Sequence, residues 1–132
     1  MKTIAAILAA AALPLAALPA AAESRAEKNE AYLAEMLEGR VPGEPVSCIF
    51  APNQQRLNVI EHVGIVYKDG DTIYVARARE PHSLGFDDAL IIERHGSSLC
   101  RHDITRTFDR MSHIPGVVFF DDFVPYTKVD AG

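Results

Sequence analysis

Cysteine is scarce in this chain of 132 residues: only Cys48 and Cys100 occur, with no Cys-x-x-Cys spacing. That removes the usual basis for a redox-active or metal-binding thiol pair. Glycine-rich phosphate cradles and dinucleotide fingerprints are missing as well. Gly96-Ser97-Ser98-Leu99-Cys100 sets two serines beside His95 but lacks the glycine that would complete a nucleophile elbow, so Ser97 and Ser98 read as turn formers. The five histidines include no pair at His-x3-His or His-x-His spacing. Basic residues are scattered through a chain of net charge −5, so no nucleic-acid partner is expected. After Leu18 no apolar run is long enough to span a bilayer.

The N-terminus carries an address. Met1-Lys2 gives a positive start, Ile4 to Leu18 is apolar, and Ala20-Ala21-Ala22 provides small residues for cleavage. Residues 1–22 therefore read as a signal peptide cut after Ala22. With no cysteine directly following, no lipid anchor is expected. Residues 23–132 remain as a single small β-rich domain. A periplasmic or secreted location is oxidising, and there two cysteines are expected to form one Cys48–Cys100 bridge. In the chain-entropy account, closing so long a loop contributes about 4 kcal/mol.

Val63 to Arg77 reads as a β-hairpin around which the rest is organised. Asp69-Gly70 offers the two residues a type I′ turn needs, which places Lys68 opposite Asp71, Tyr67 opposite Thr72, Ile65 opposite Tyr74 and His62 opposite Arg77. Both faces are then apolar or aromatic and need cover from other elements. Ser24-Arg25-Ala26-Glu27 has the form of a capping box, predicting a helix over about 25–38 that packs through Leu33 and Leu37 and stops at Gly39 and Pro42. Strands are predicted over 46–50, 89–94, 104–108 and 117–120, with Phe123 to Tyr126 capping the core. Leu57 to Glu61 leads into the hairpin, and Leu90-Ile91-Ile92 suggests burial on both faces. The fold class expected is mainly β (α+β): an N-terminal helix, then a curled antiparallel sheet or small barrel of about six strands over 46–126, with one disulfide.

Chemistry-bearing groups are few. Asp87-Asp88 and Asp121-Asp122 are adjacent pairs, but neighbours along a strand point to opposite faces, so surface charge or loop capping is the plainer reading. His95, His102 and Asp103 flank the turn around Cys100 and are the candidates for a Zn²⁺ or Cu²⁺ site, set against surface or turn histidines. Tyr67, Tyr74 and Arg77 are a candidate binding surface, since aromatics and arginine anchor interfaces; core packing of both tyrosines is the alternative. No cofactor is expected.

GRVPGEPVSCI (39–49), IVYKDGDTIYVAR (65–77), LGFDDALI (84–91), GSSLCRHDI (96–104) and DFVPY (122–126) resemble a group of small exported proteobacterial proteins of unknown function. The resemblance covers most of the chain from Gly39 and skips the helix. It implies a secreted domain with cysteines at these two places and nothing catalytic. The chain departs from that pattern at Asn58 to His62, where an Arg-Ser pair is expected, and lacks further cysteines near Ser83 and Val118. The expectation for function is an exported non-catalytic module that binds an unknown protein or small-molecule partner in the cell envelope. The alternative is a metal-binding protein or metal-dependent enzyme using His95, His102 and Asp103.

Overall fold

Residues 24–129 are described by a computed structural model; the signal peptide expected over residues 1–22 lies outside them. Ser24 Oγ accepts the Glu27 amide at 3.2 Å, and Glu27 Oε2 accepts the Ser24 amide at 3.1 Å. This reciprocal cap starts helix α1, Arg25–Met36. Past its end Gly39 adopts φ +74°, a left-handed conformation open to glycine, and the chain turns out.

Among the described residues ten strands follow: β1 Arg40–Pro42, β2 Cys48–Phe50, β3 Leu57–Ile60, β4 Gly64–Asp69, β5 Thr72–Arg77, β6 Asp88–Glu93, β7 Ser98–Cys100, β8 Ile104–Asp109, β9 Pro115–Val117 and β10 Val124–Lys128. All ladders are antiparallel. They form a five-stranded sheet ordered β1-β10-β5-β4-β3, a two-stranded ladder β2-β7 and a three-stranded sheet β6-β8-β9.

The expectation of a mainly antiparallel β fold with one N-terminal helix and one disulfide holds. The single curled sheet or barrel does not: the described residues form three separate sheets, and these do not close. The ladders are interrupted where the chain leaves strand geometry. Pro52 follows β2 and is succeeded by a 3-10 turn, Gln54–Arg56, while two isolated bridges, Val46 with Phe123 and Ala78 with Phe120, join stretches outside the named strands. Leu57 to Ile60 is also a separate strand, returning through a three-residue turn at 61–63 to pair with β4.

The central hairpin forms with its turn one residue later than expected. Gly70-Asp71 is the loop, Asp69 faces Thr72, and Tyr67 faces Tyr74. Only Gly70 takes a positive φ, +58°, so the turn has the glycine-first pattern of type II′ rather than type I′. Gly64, not His62, lies opposite Arg77. Side chains alternate with period two, so moving every partner by two residues keeps each on its expected face.

Both faces of the five-stranded sheet are covered. On one, Val66, Ile73 and Val75 meet Leu33 of α1, which is 1% exposed, with Met36 and Leu37 half-buried beside it. On the other, Ile65, Tyr67 and Ala76 meet Ile49 of β2, Leu99 of β7, and Val118, Phe120 and Phe123. Cys48 and Cys100 face each other across β2-β7 and are bonded. In β6, Leu90 and Ile92 pack toward this core while Ile91 is 52% exposed, so the strand is buried on one face rather than both. In β8 it is Thr105 and Thr107 that are buried, whereas Ile104 is exposed.

Candidate functional site

Because the sheets do not close, a cavity of about 440 Å3 opens between β3 and β6. Leu57 and Val59 of β3 form one wall and Ala89, Leu90 and Ile92 of β6 the other, with Tyr67 of β4 and Leu99 of β7 between them. Leu57 and Val59 pair with Tyr67 and Ile65, which puts them on the sheet face opposite α1. The size lies within the range of small-molecule sites, and mainly apolar walls with a few polar groups are their usual chemistry.

Asn53, Gln54, Asp88, Arg94 and Arg110 supply the polar part. Asn53 Oδ1 accepts the Gln55 amide at 2.9 Å, which fixes the 3-10 turn beside the opening. Asp88 Oδ2 accepts the Gly85 amide at 2.8 Å, so this carboxylate holds its own turn. Arg94 Nη1 donates to the Ala51 carbonyl at 2.5 Å, joining the end of β6 to the end of β2. Arg110, just past β8, is exposed. Among the described residues neither Arg94 nor Arg110 forms a salt bridge.

Tyr67 is 2% exposed and forms part of this cavity's wall. Tyr74, its cross-strand partner, is half-buried against the same core cluster. Arg77 lies on the opposite face of the hairpin and reaches α1, where its Nη1 and Nη2 donate to Glu30 at 2.6 and 3.2 Å. That bond raises the Arg77 pKa above its ordinary value, and the Glu30 charge adds to the effect. The three side chains therefore share no surface: two belong to the core beside the cavity and one ties the helix to the sheet.

His95 is exposed in the turn after β6, and His102 is exposed in the turn before β8. Asp103 Oδ2 accepts the Cys100 amide at 2.8 Å, a side-chain bond back to the residue three before it that braces that turn. Among the described residues no three His, Cys, Asp or Glu side chains gather where a metal ion could be held. His95, His102 and Asp103 thus lack the convergence that the metal reading needs.

A second cavity, about 350 Å3, includes His102 and Asp103 with Arg79, Arg101, Thr105 and Phe119. Its arginines are neutralised: Arg79 lies 3.1 Å from Asp121 and Arg101 2.9 Å from Asp122. The second adjacent-aspartate pair is thereby engaged with arginine, and Ser97, whose carbonyl accepts the Ala51 amide at 2.8 Å, sits exposed in its turn.

Sequence reasoning missed Leu57, Leu90, Ile92, Arg94 and Arg110 as a set. Each lies in an ordinary strand or strand-end context, and what unites them is long-range packing. The lone signal available was arginine at the ends of two apolar strands, which is also the pattern of a solvated strand terminus. Comparison with protein-family models, with curated proteins and with solved structures gives no match to this chain.

Proposed function

We propose that this chain is an exported, non-catalytic module of the cell envelope that binds a small ligand in the cavity between β3 and β6. The observation that carries the reading is the cavity itself, a recess of about 440 Å3 lined by apolar and polar side chains in a domain whose central sheet is covered on both faces. Four of the acidic groups are engaged in structure: Asp88, Asp103, Asp121 and Asp122 each cap a turn or pair with arginine. Export is supported by the Cys48–Cys100 bond, since such bonds persist in oxidising compartments. No helix among the described residues is long and apolar enough to cross a membrane.

Two measurements test this. Amide chemical shifts of the oxidised, labelled protein, followed against a library of small fragments, should move together at Leu57, Tyr67, Leu90 and Ile92; hits confined to other surfaces would overturn the cavity reading. Mass spectrometry of the protein from fractionated cells should find a mature N-terminus near Glu23, and recovery of residues 1–22 on the mature chain would overturn export.

A further inference from the structure

We infer that the cavity between β3 and β6 selects an amphipathic anion: a short apolar tail carrying one carboxylate or similarly charged head. This rests on the cavity being a ligand site and adds the chemical class of the ligand. The argument is one of charge placement in an acidic protein of net charge −5. Arg25, Arg56, Arg77, Arg79, Arg101 and Arg106 each have a carboxylate partner. Among the described arginines this leaves Arg40, Arg94 and Arg110; Lys28 and Lys68 are also without a carboxylate partner but do not line the cavity. Arg40 lies at the end of α1, where it donates to the Met36 carbonyl at 3.4 Å, and is not part of the cavity lining. The remaining two line one and the same cavity.

Acidic side chains outnumber basic ones in this chain, 18 to 13, yet only one carboxylate, Asp88, lines the cavity, and it turns an oxygen to the Gly85 amide. Two guanidiniums against one carboxylate leave the lining with net positive charge beside apolar walls, where electrostatic attraction exceeds its value in bulk water. Arginine presents planar paired donors that match carboxylate oxygens. Arg94 is already held through Ala51, so its guanidinium is oriented before a ligand arrives. Arg110, past the end of β8, is exposed and has no carboxylate within salt-bridge distance among the described residues. At a liquid share of about 30 Å3 per water, the volume holds roughly 15 water-sized groups, the scale of a medium-chain amphiphile. The second cavity lacks this property because its arginines are paired.

Isothermal titration of the oxidised protein with decanoate, decan-1-ol and decyltrimethylammonium, each below its micellar concentration, is the test. Decanoate is expected to bind most tightly. Arg110→Gln should weaken decanoate about fivefold, the scale of losing one charge-assisted contact at a partly wet site, and leave decan-1-ol unchanged. Arg94→Lys, which keeps the charge but not the paired donors, should weaken decanoate less; its thermal unfolding reports whether the Ala51 contact was needed for folding. If decan-1-ol binds as well as decanoate, or the cation binds better, the anion inference fails while the cavity remains a ligand site. If none of the three binds, the amphipathic-anion inference fails, and the fragment screen alone decides whether the cavity takes a ligand. If decanoate binds but Arg110→Gln and Arg94→Lys leave its affinity unchanged, the assignment of the head-group contact to these arginines is overturned.

Discussion

Replacing Gly64 by alanine should be among the most damaging single-methyl changes this protein can receive. Gly64 opens β4 directly opposite Arg77, and a Cβ built on it would lie 2.1 Å from the Ala76 carbonyl oxygen and 2.8 Å from the Arg77 Cα. Ordinary contact begins near 3.4 Å, so the shortfall against the oxygen is about 1.3 Å. Both obstacles are backbone, and no rotamer change can relieve them. The β4-β5 ladder must be levered apart at its end. Overpacking of this kind costs about 1 to 3 kcal/mol, and loosening the adjoining backbone bonds adds about 1 kcal/mol. A loss of about 2 to 4 kcal/mol is expected, a large share of the roughly 5 to 15 kcal/mol that small domains possess. Gly70→Ala is the control, because Gly70 has φ +58° but nothing within 4 Å of the added Cβ. It should cost only the left-handed backbone penalty, about 1 to 2 kcal/mol. Urea unfolding of the oxidised variants, followed by far-ultraviolet circular dichroism, gives both numbers. If Gly64→Ala has a midpoint equal to or above that of Gly70→Ala, close backbone approach is not what requires glycine at this position.

Other consequences are as direct. Replacing Cys48 and Cys100 together by alanine opens a loop of sequence separation 52 and should lower the unfolding free energy by about 4 kcal/mol; a loss below about 1 kcal/mol would mean that β2-β7 holds without its crosslink. Leu33→Ala removes the one fully buried side chain of α1, so a loss of about 2 to 5 kcal/mol is expected, and amides of Val66 and Val75 should exchange faster. Asp109 accepts amide hydrogens from Ser112 and Met111, which hold its pKa below the ordinary 3.8. A depressed folded-state pKa means a contribution fully present above about pH 4 and lost as pH falls through the folded value. Carbon-detected titration should find that midpoint below 3.8, and Asp109→Asn should flatten the acid limb of the stability curve; a midpoint at or above 3.8 would contradict it.

The hairpin was legible because apolar residues on both faces of Ile65 to Ala76 leave few alternatives to a doubly covered strand pair. Its turn was not, since Asp69-Gly70-Asp71 contains both an Asp-Gly and a Gly-Asp step and local chemistry permits either. The capping box at Ser24 could be read directly, being a contact over three residues. Strand β1 could not: Pro42 and Gly43 look like loop, and Arg40 to Pro42 become a strand only by pairing with Tyr126 to Lys128 far along the chain. The division into three sheets was hidden for the same reason. In β8 the alternation of isoleucine and arginine against threonine was visible, but which side met the core depended on the buried partners of Thr105 and Thr107. The cavity is the extreme case, its walls coming from Leu57 and Ile92, whose meeting no local pattern announces.

The bond between Cys48 and Cys100 makes the intervening polypeptide a covalent ring, and β3 to β6 all lie within it. A protease that nicks one peptide inside that ring releases nothing. The cut chain keeps its mass apart from one added water, runs as one species without a thiol and separates into two only when reduced. The β3 and β6 walls of the cavity sit in this tethered stretch, so both walls stay on one molecule after a first cleavage there.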